Sequence, residues 1–227
     1  MSFKYVALIA ASLAISNEVN AAAIPFADDF ESGSLGNWTQ AGRRVGSFST
    51  NVVSRHGSQM AHVRKDGFTE VSLGNRFDFS MDLKFLFDME VSSYSNAGPT
   101  SSAYGFAAAA FNFYDASGNN LGGISYGTAS TSYLASVVST NPTGAFVQVA
   151  ENVLQSYSLS MVDLMSLVSI PEGDIDQVDF SFIAYSSYNG GGGEVFFDNV
   201  HVVPVPAALW LFGAGLLGLF GVARRKT

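Results

Sequence analysis

From residue 77 to residue 89 the chain reads Phe-Asp-Phe-Ser-Met-Asp-Leu-Lys-Phe-Leu-Phe-Asp-Met, with an apolar side chain at every odd position and a polar one at most even positions. A period of two places the apolar groups on one side of an extended strand, whereas a helix would scatter them around its axis. One face is therefore buried and the other solvated, as in an antiparallel sheet with one wet side. The signal recurs along the chain. Residues 107–114 and 121–126 flank the turn-rich stretch Asp115-Ala-Ser-Gly-Asn-Asn120 and predict a hairpin. Residues 177–185 and 194–202 flank Asn189-Gly-Gly-Gly-Gly193 and predict a second hairpin that ends the domain. Further strands are expected at 48–54, 59–64, 69–73, 133–138, 146–151 and 157–161. Residues 162–168 invite a short helix, with Asp163 near its start and Pro171 beyond its end. About ten strands with glycine-rich turns define an all-β chain, a two-sheet β-sandwich of the jelly-roll kind.

Composition narrows the function classes. Charged residues make up 13% of the chain, and the aromatics are 19 Phe, 9 Tyr and 2 Trp, which excludes intrinsic disorder. No cysteine occurs, which removes disulfides, thiolate nucleophiles and cysteine-ligated metals. Residues 24–203 carry seven basic side chains (Arg43, Arg44, Arg55, Arg64, Lys65, Arg76, Lys84) against eighteen acidic ones. An acidic body favours cations and disfavours nucleic acid, whose phosphates need clustered Lys and Arg.

The two ends stand apart from this body. Lys4, an apolar stretch of 11 residues from Tyr5 to Ile15, and the small-x-small sites Val19-Asn-Ala21 and Ala21-Ala-Ala23 read as an export signal over residues 1–23. At the other end, Pro204-Val205-Pro206 breaks any preceding strand. Residues 207–223 then run 17 positions without a charge, and Arg224-Arg225-Lys226 follow at once. As a helix, this segment would span about 25 Å, just short of a hydrocarbon core of about 30 Å. Its basic trio would hold the C-terminus in the cytoplasm while the body is exported. Four glycines thin the segment, which suits temporary retention better than permanent anchoring.

Taken together, Pro204-Val205-Pro206, the glycine-interrupted apolar helix and the basic end resemble the PEP-CTERM sorting signal, in a variant with valine where the naming glutamate stands. The resemblance implies a Gram-negative bacterium and an exosortase-type membrane protease acting near Pro204–Pro206. It also implies transient attachment to the membrane through the C-terminal helix, then delivery to the cell surface or extracellular matrix. Phe30-Glu-Ser-Gly-Ser-Leu-Gly-Asn-Trp38, Gly57-Ser-Gln-Met-Ala61 and Phe196-Phe-Asp-Asn-Val-His-Val202 resemble stretches of jelly-roll carbohydrate-binding modules. That resemblance implies that first and last strands lie side by side, with a structural Ca²⁺ bridging them through Glu31 and Asp198, assisted by Asp29 and Asp28. Ca²⁺ takes six to eight oxygens, which carboxylates and carbonyls from two strand ends can supply.

Sugar binding needs exposed rings to stack on pyranose C–H faces. Trp38, Tyr94, Tyr104, Tyr126 and Tyr188 are the ligand-binding candidates, with Tyr133 and Tyr185 next, all near turns or Gly/Ser-rich stretches. Catalytic signatures are poor. His56 and His62 lie six apart, no His-Glu-x-x-His or Gly-x-Ser-x-Gly occurs, and Gly190–Gly193 is followed by neither a lysine nor a helix. The expectation is a non-enzymatic, exported protein that binds or organises extracellular polysaccharide in a biofilm. A polysaccharide-active enzyme and a purely structural surface protein are the alternatives.

Overall fold

The computed structural model describes residues 24–42, 47–66, 69–95, 105–130, 144–186 and 191–204. The expected signal peptide, the strand at 133–138 and the segment beyond Pro204 lie outside the described residues. Among the described residues no helix is long and apolar enough to cross a membrane.

Among the described residues, twelve strands and one short α-helix follow in chain order. They are β1 (Phe26–Asp28), β2 (Thr39–Ala41), β3 (Ser47–Arg55), β4 (Ser58–Asp66), β5 (Thr69–Asp78), β6 (Leu83–Ser95), β7 (Gly105–Tyr114), β8 (Asn120–Ala129), β9 (Gly144–Gln148), β10 (Gln155–Ser160), α1 (Met161–Met165), β11 (Gln177–Ser186) and β12 (Gly191–Pro204). Sheet A runs β10-β6-β12-β4-β3, with β1 pairing the far half of β12; sheet B runs β2-β5-β11-β7-β8-β9. The pairing of β8 with β9 is parallel. First and last strands do lie side by side, Phe26 opposite Val202 and Asp28 opposite Val200.

Two expectations need correction. The alternating run at 77–89 is two strands in different sheets. Ser80 turns the chain between them, its carbonyl accepting from Leu83 N and its hydroxyl from Asp82 N. Phe79 and Met81 of that turn still pack on the core, so the alternation continues unbroken while the chain crosses between layers. The expected β11–β12 hairpin does not form either. β11 lies between β5 and β7, and β12 between β4 and β6. The two strands face each other across the core, with the rings of Phe182 and Phe197 stacked 3.7 Å apart at 10°. Glycine makes this crossing possible, because a Cβ on Gly193 would collide with the Phe106 carbonyl of the opposite sheet.

Other elements form as their residues dictate. In the β7–β8 hairpin, Asp115 Oδ1 accepts from Ser117 N and Asn119 N, and Gly118 takes φ +78°. Helix α1 starts at a capping box in which Ser160 and Asp163 bond each other's backbone N–H, and it buries Met161 and Leu164. The core is largely phenylalanine: Phe77, Phe85, Phe87, Phe111, Phe113, Phe180, Phe182 and Phe197 are each at most 2% exposed.

Candidate functional site

At the junction of the chain ends, the structure brings Glu31 and Asp198 together. The Ser58 hydroxyl lies 2.8 Å from Glu31 Oε1 and 2.7 Å from Asp198 Oδ2. It has one proton for two carboxylates, so one close oxygen pair is left without a bridging hydrogen. Asp198 also stands directly across from Asp88 in the β6–β12 ladder, a like-charge pairing that destabilises a sheet. Burial, with the repulsion of Asp88 and Glu31 added, pushes the Asp198 carboxyl above its ordinary range. Gln59 N donates to Glu31, and Asn199 bridges to Asp88 through its side chain. Asp29 and Asp28 are engaged elsewhere: Asp29 caps Glu31 N, while Asp28 accepts from Phe30 N and from Trp38 Nε1. Among the described residues no three acidic or histidine side chains converge closely enough to hold a metal alone. The excess of negative oxygens around Ser58 nevertheless fits Ca²⁺, with backbone oxygens or water completing its shell.

The aromatic candidates divide. Trp38 is 8% exposed and packs against Phe26, Phe30, Phe182 and Phe197, so its ring faces belong to the core and are closed to a sugar. Tyr126 packs edge-on against Phe111 and Tyr157, also inside the sandwich. Tyr94 lines an open cleft and donates its hydroxyl to Asp66. Tyr185 faces outward on β11 opposite Phe106 and Glu70. Tyr104, Tyr133 and Tyr188 lie outside the described residues, as do Val205, Pro206, Arg224, Arg225 and Lys226.

Four residues that motif reasoning passed over define a polar face. On β11, Val178, Phe180, Phe182 and Ala184 enter the core, so Asp179, Ser181, Ile183 and Tyr185 point to the outer face of sheet B. Cross-strand pairing sets Arg76 and Asn112 on either side of Asp179, and Gly74 and Ala110 on either side of Ser181. The next row joins Ser72, Ile183, Ala108 and Gly127. This floor of small side chains has walls at both ends. At one end the Arg76 guanidinium lies 3.8 Å over the Tyr114 ring. At the other, Phe106 and Phe146 sit with ring centroids 5.8 Å apart.

Three buried side-chain atoms among the described residues lack a hydrogen-bond partner: Arg76 Nε, Tyr114 Oη and Ser181 Oγ. All three belong to this face. Asp179 shares it, its side chain 19% exposed and 4.0 Å from Arg76 Nη2. Burial pushes the Asp179 carboxyl up to about 6, against the pull of Arg76 and of the Ser181 hydroxyl, which lies close without making a hydrogen bond of ordinary geometry. Burial likewise raises the Tyr114 phenol, helped by the Asp179 charge and opposed by the nearby Asn120 and Arg76 side chains, which make no hydrogen bond of ordinary geometry to it. Alternation within 177–185 already carried the clue, since a polar Asp-x-Ser pair sits inside a run whose other face is wholly apolar.

The outer face of sheet A contrasts with this one because its charges are mutually satisfied. Arg55 grips the buried Glu90 at 2.6 and 3.1 Å and covers one face of Phe196, centroid distance 4.0 Å. His62 stacks on the same ring at 4.5 Å while bonding Glu194 and Asn51. The Arg55 hydrogen bonds hold Glu90 below the usual carboxylate range, and the His62 hydrogen bond does the same for Glu194.

The structural neighbours of this sandwich are jelly-roll carbohydrate-binding modules. A family 11 module of Clostridium thermocellum, solved with a β-1,3-1,4-mixed-linked tetrasaccharide, is 17% identical at a TM-score of 0.43, covering 78% of this chain and 93% of that one. The CBM22-1 xylan-binding domain of Paenibacillus barcinonensis Xyn10C is 12% identical at 0.39, covering 83% and 98%. The enzymatically active domain of bacteriophage CBA120 tailspike protein 4 is 12% identical at 0.46; the match takes in 82% of this chain but spans only 21% of the tailspike chain. No curated protein matches the sequence significantly. Residues 202–226 match the PEP-CTERM protein-sorting motif, so the chain carries the sorting signal its C-terminal residues resemble. That motif implies an exported protein processed by an exosortase.

Proposed function

We propose that the exported body binds a neutral polysaccharide along the outer face of sheet B, and so attaches to or organises extracellular polysaccharide at the cell surface or in a biofilm matrix. One observation carries this: the unpartnered buried atoms Arg76 Nε, Tyr114 Oη and Ser181 Oγ share a single face. Each unmet polar group costs on the order of 1–3 kcal/mol, so a partner is worth supplying. A sugar hydroxyl that reached these atoms, which are closed to solvent in this structure, could accept from Arg76 and could donate to or accept from Ser181 and Tyr114. No net charge is needed, because Asp179 already stands beside Arg76. The half-buried Phe106–Phe146 pair at the end of this face offers an apolar surface for the C–H side of a sugar ring. The sorting signal accounts for how such a domain reaches its ligand, after an exosortase-type protease removes a transient C-terminal anchor near Pro204–Pro206. Ca²⁺ held by Glu31 and Asp198 would neutralise the junction of β1 and β12 and act structurally.

The test is affinity electrophoresis of the full chain, purified in mild detergent, in gels containing β-glucan, xylan, galactan or the producing cell's own exopolysaccharide, with reducing ends assayed in parallel. Ser181→Ala removes only an unpartnered hydroxyl, so it should leave thermal stability equal or higher while weakening retention about fivefold, one neutral hydrogen bond's worth. Retention unchanged in both Ser181→Ala and Arg76→Ala would overturn the assignment. Release of reducing ends would replace binding with hydrolysis.

A further inference from the structure

The cleft lined by Tyr94, about 390 Å³, opens at one end of the sandwich, between the last residues of β6 in sheet A and those of β8 and β9 in sheet B. Its walls include Ser93, Tyr94, Thr128, Ala129, Gln148 and Glu151. Glu151 follows β9 and closes the gap between layers: its Oε1 accepts from Ser93 Oγ of sheet A at 2.7 Å and from Thr128 Oγ1 of sheet B at 2.6 Å. Thr128 Oγ1 in turn accepts from Gln148 Nε2 at 3.0 Å. The neighbouring Asn152 N bonds Val91 O, fixing this corner to sheet A.

The hydrogen-bond inventory decides what can enter. The protons of Ser93 and Thr128 are spent on Glu151, and Tyr94 donates to Asp66. Among the described residues the cleft retains the acceptors Glu151 Oε2 and Gln148 Oε1, with one N–H of Gln148 Nε2 left to donate beside them. A ligand must therefore bring donors. A carboxylate with one free oxygen and a neighbouring amide oxygen suits adjacent sugar hydroxyls, while an anionic sugar would meet Glu151 as a like charge. A bare cation fits less well, because Glu151 is the one carboxylate in the lining and its Oε1 already holds two hydroxyl protons. The Tyr94 ring is braced from behind by Gly192, where a Cβ would strike it, and so presents a fixed apolar wall. At about 390 Å³ the cleft lies at the small end of ligand pockets, which span roughly 300–1,000 Å³. It has room for one or two sugar rings.

We infer that this cleft is a separate binding site for a neutral mono- or disaccharide unit, held by Glu151 and Gln148 against the Tyr94 ring. The unit could be a free sugar or the end of a chain, since both offer the same hydroxyl donors.

The test is calorimetric titration of the full chain in mild detergent with glucose, galactose, mannose, cellobiose, lactose and, as the charged control, galacturonate. At least one neutral probe should bind, and galacturonate should bind at least tenfold more weakly. Glu151→Gln, which keeps the shape and removes the charge, should weaken the neutral probe about tenfold. Because Glu151 also joins the two sheets, Ala129→Phe is the second variant: it fills the cleft without touching those bonds and should abolish binding. Polymers of one composition and two lengths then separate the sources. Competition in proportion to the number of chain ends assigns the cleft to ends, and no competition assigns it to free sugar. Absence of binding by every neutral probe, equal binding of galacturonate, or a neutral probe that still binds Ala129→Phe would overturn the inference. Ser181→Ala should leave these small sugars unaffected, so failure here is distinguishable from failure of the sheet B face.

Discussion

Asp179→Asn is the sharpest perturbation of the polar face. An aspartate whose folded pKa exceeds its unfolded one holds its proton more tightly in the native state. Its stabilising contribution is complete below the unfolded value and is lost as pH rises through the folded one. Asp179 moves from 3.8 to about 6, so the wild-type protein should gain stability as pH falls from 7 toward 5. Two units correspond to about 3 kcal/mol at about 1.4 kcal/mol per unit. The side chain is 19% exposed and partial hydration softens the penalty, so the gain of Asp179→Asn at pH 7 should be about 1–2 kcal/mol. For a body of this size that is a rise in Tm of about 3–6 °C. Thermal unfolding at pH 4, 5, 6, 7 and 8 reads it directly: the gain should be full at pH 7 and 8, fall to about half at 5 and nearly vanish below 4. Asp198 is raised as well, so a residual slope in the variant belongs to that residue. A variant no more stable than wild type at pH 7, or a wild-type curve flat from 5 to 8, would refute the claim that this carboxylate is held in a poorly solvated place.

Three further outcomes follow from the geometry. Ca²⁺ at 100 times its dissociation constant should stabilise the protein by about 2.7 kcal/mol. Asp198→Asn should raise stability in chelator, by relieving repulsion with Asp88 and Glu31, while erasing the calcium response; no calcium shift in wild type removes the metal. Trp38→Ala should cost about 3–5 kcal/mol in urea unfolding yet leave polysaccharide retention unchanged where the protein stays folded, since the ring lies in the core. Glu90→Gln should cost about 1.5–3 kcal/mol by breaking the charged Arg55 pair. Because Glu90 is held low, the wild-type protein should lose this contribution as pH falls below about 4.5, a loss that the variant's denaturation profile should lack.

The fold class was legible because burial of one face writes itself into the sequence every second residue. Layer assignment was not. Residues 77–89 place an apolar group at every odd position, yet the chain leaves sheet B at Asp78 and enters sheet A at Leu83, because Phe79 and Met81 reach the same core from the turn that Phe77 and Phe85 reach from their strands. Periodicity reports which side of the chain is apolar, and says nothing about which of two facing sheets supplies the hydrogen bonds. The same limit turned β11 and β12 into an apparent hairpin. Phe182 and Phe197 would be apolar in either arrangement, and only the lack of space at Gly193 distinguishes two strands stacked through the core from two strands paired at their edges.

Site residues followed a different logic. Glu31 and Asp198 could be placed near each other because pairing of the chain ends fixes them. The aromatics could not be sorted, since Trp38 and Tyr94 both neighbour turns and only packing separates a ring under Phe30 and Phe197 from one on a cleft wall. Arg76, Asp179 and Ser181 escaped notice because no motif joins them: they stand on two strands far apart in sequence and become neighbours through the β5–β11 register. What marks them is the absence of a partner for a buried donor, a property of the folded chain that no spacing rule contains. A polar residue on the wet face of a strand is ordinary. It becomes informative only when its neighbours are too small to answer it, as Gly74 and Ala110 are beside Ser181. That condition is what separates this face from sheet A, where Arg55, His62, Glu90 and Glu194 answer one another and leave nothing for a ligand to supply.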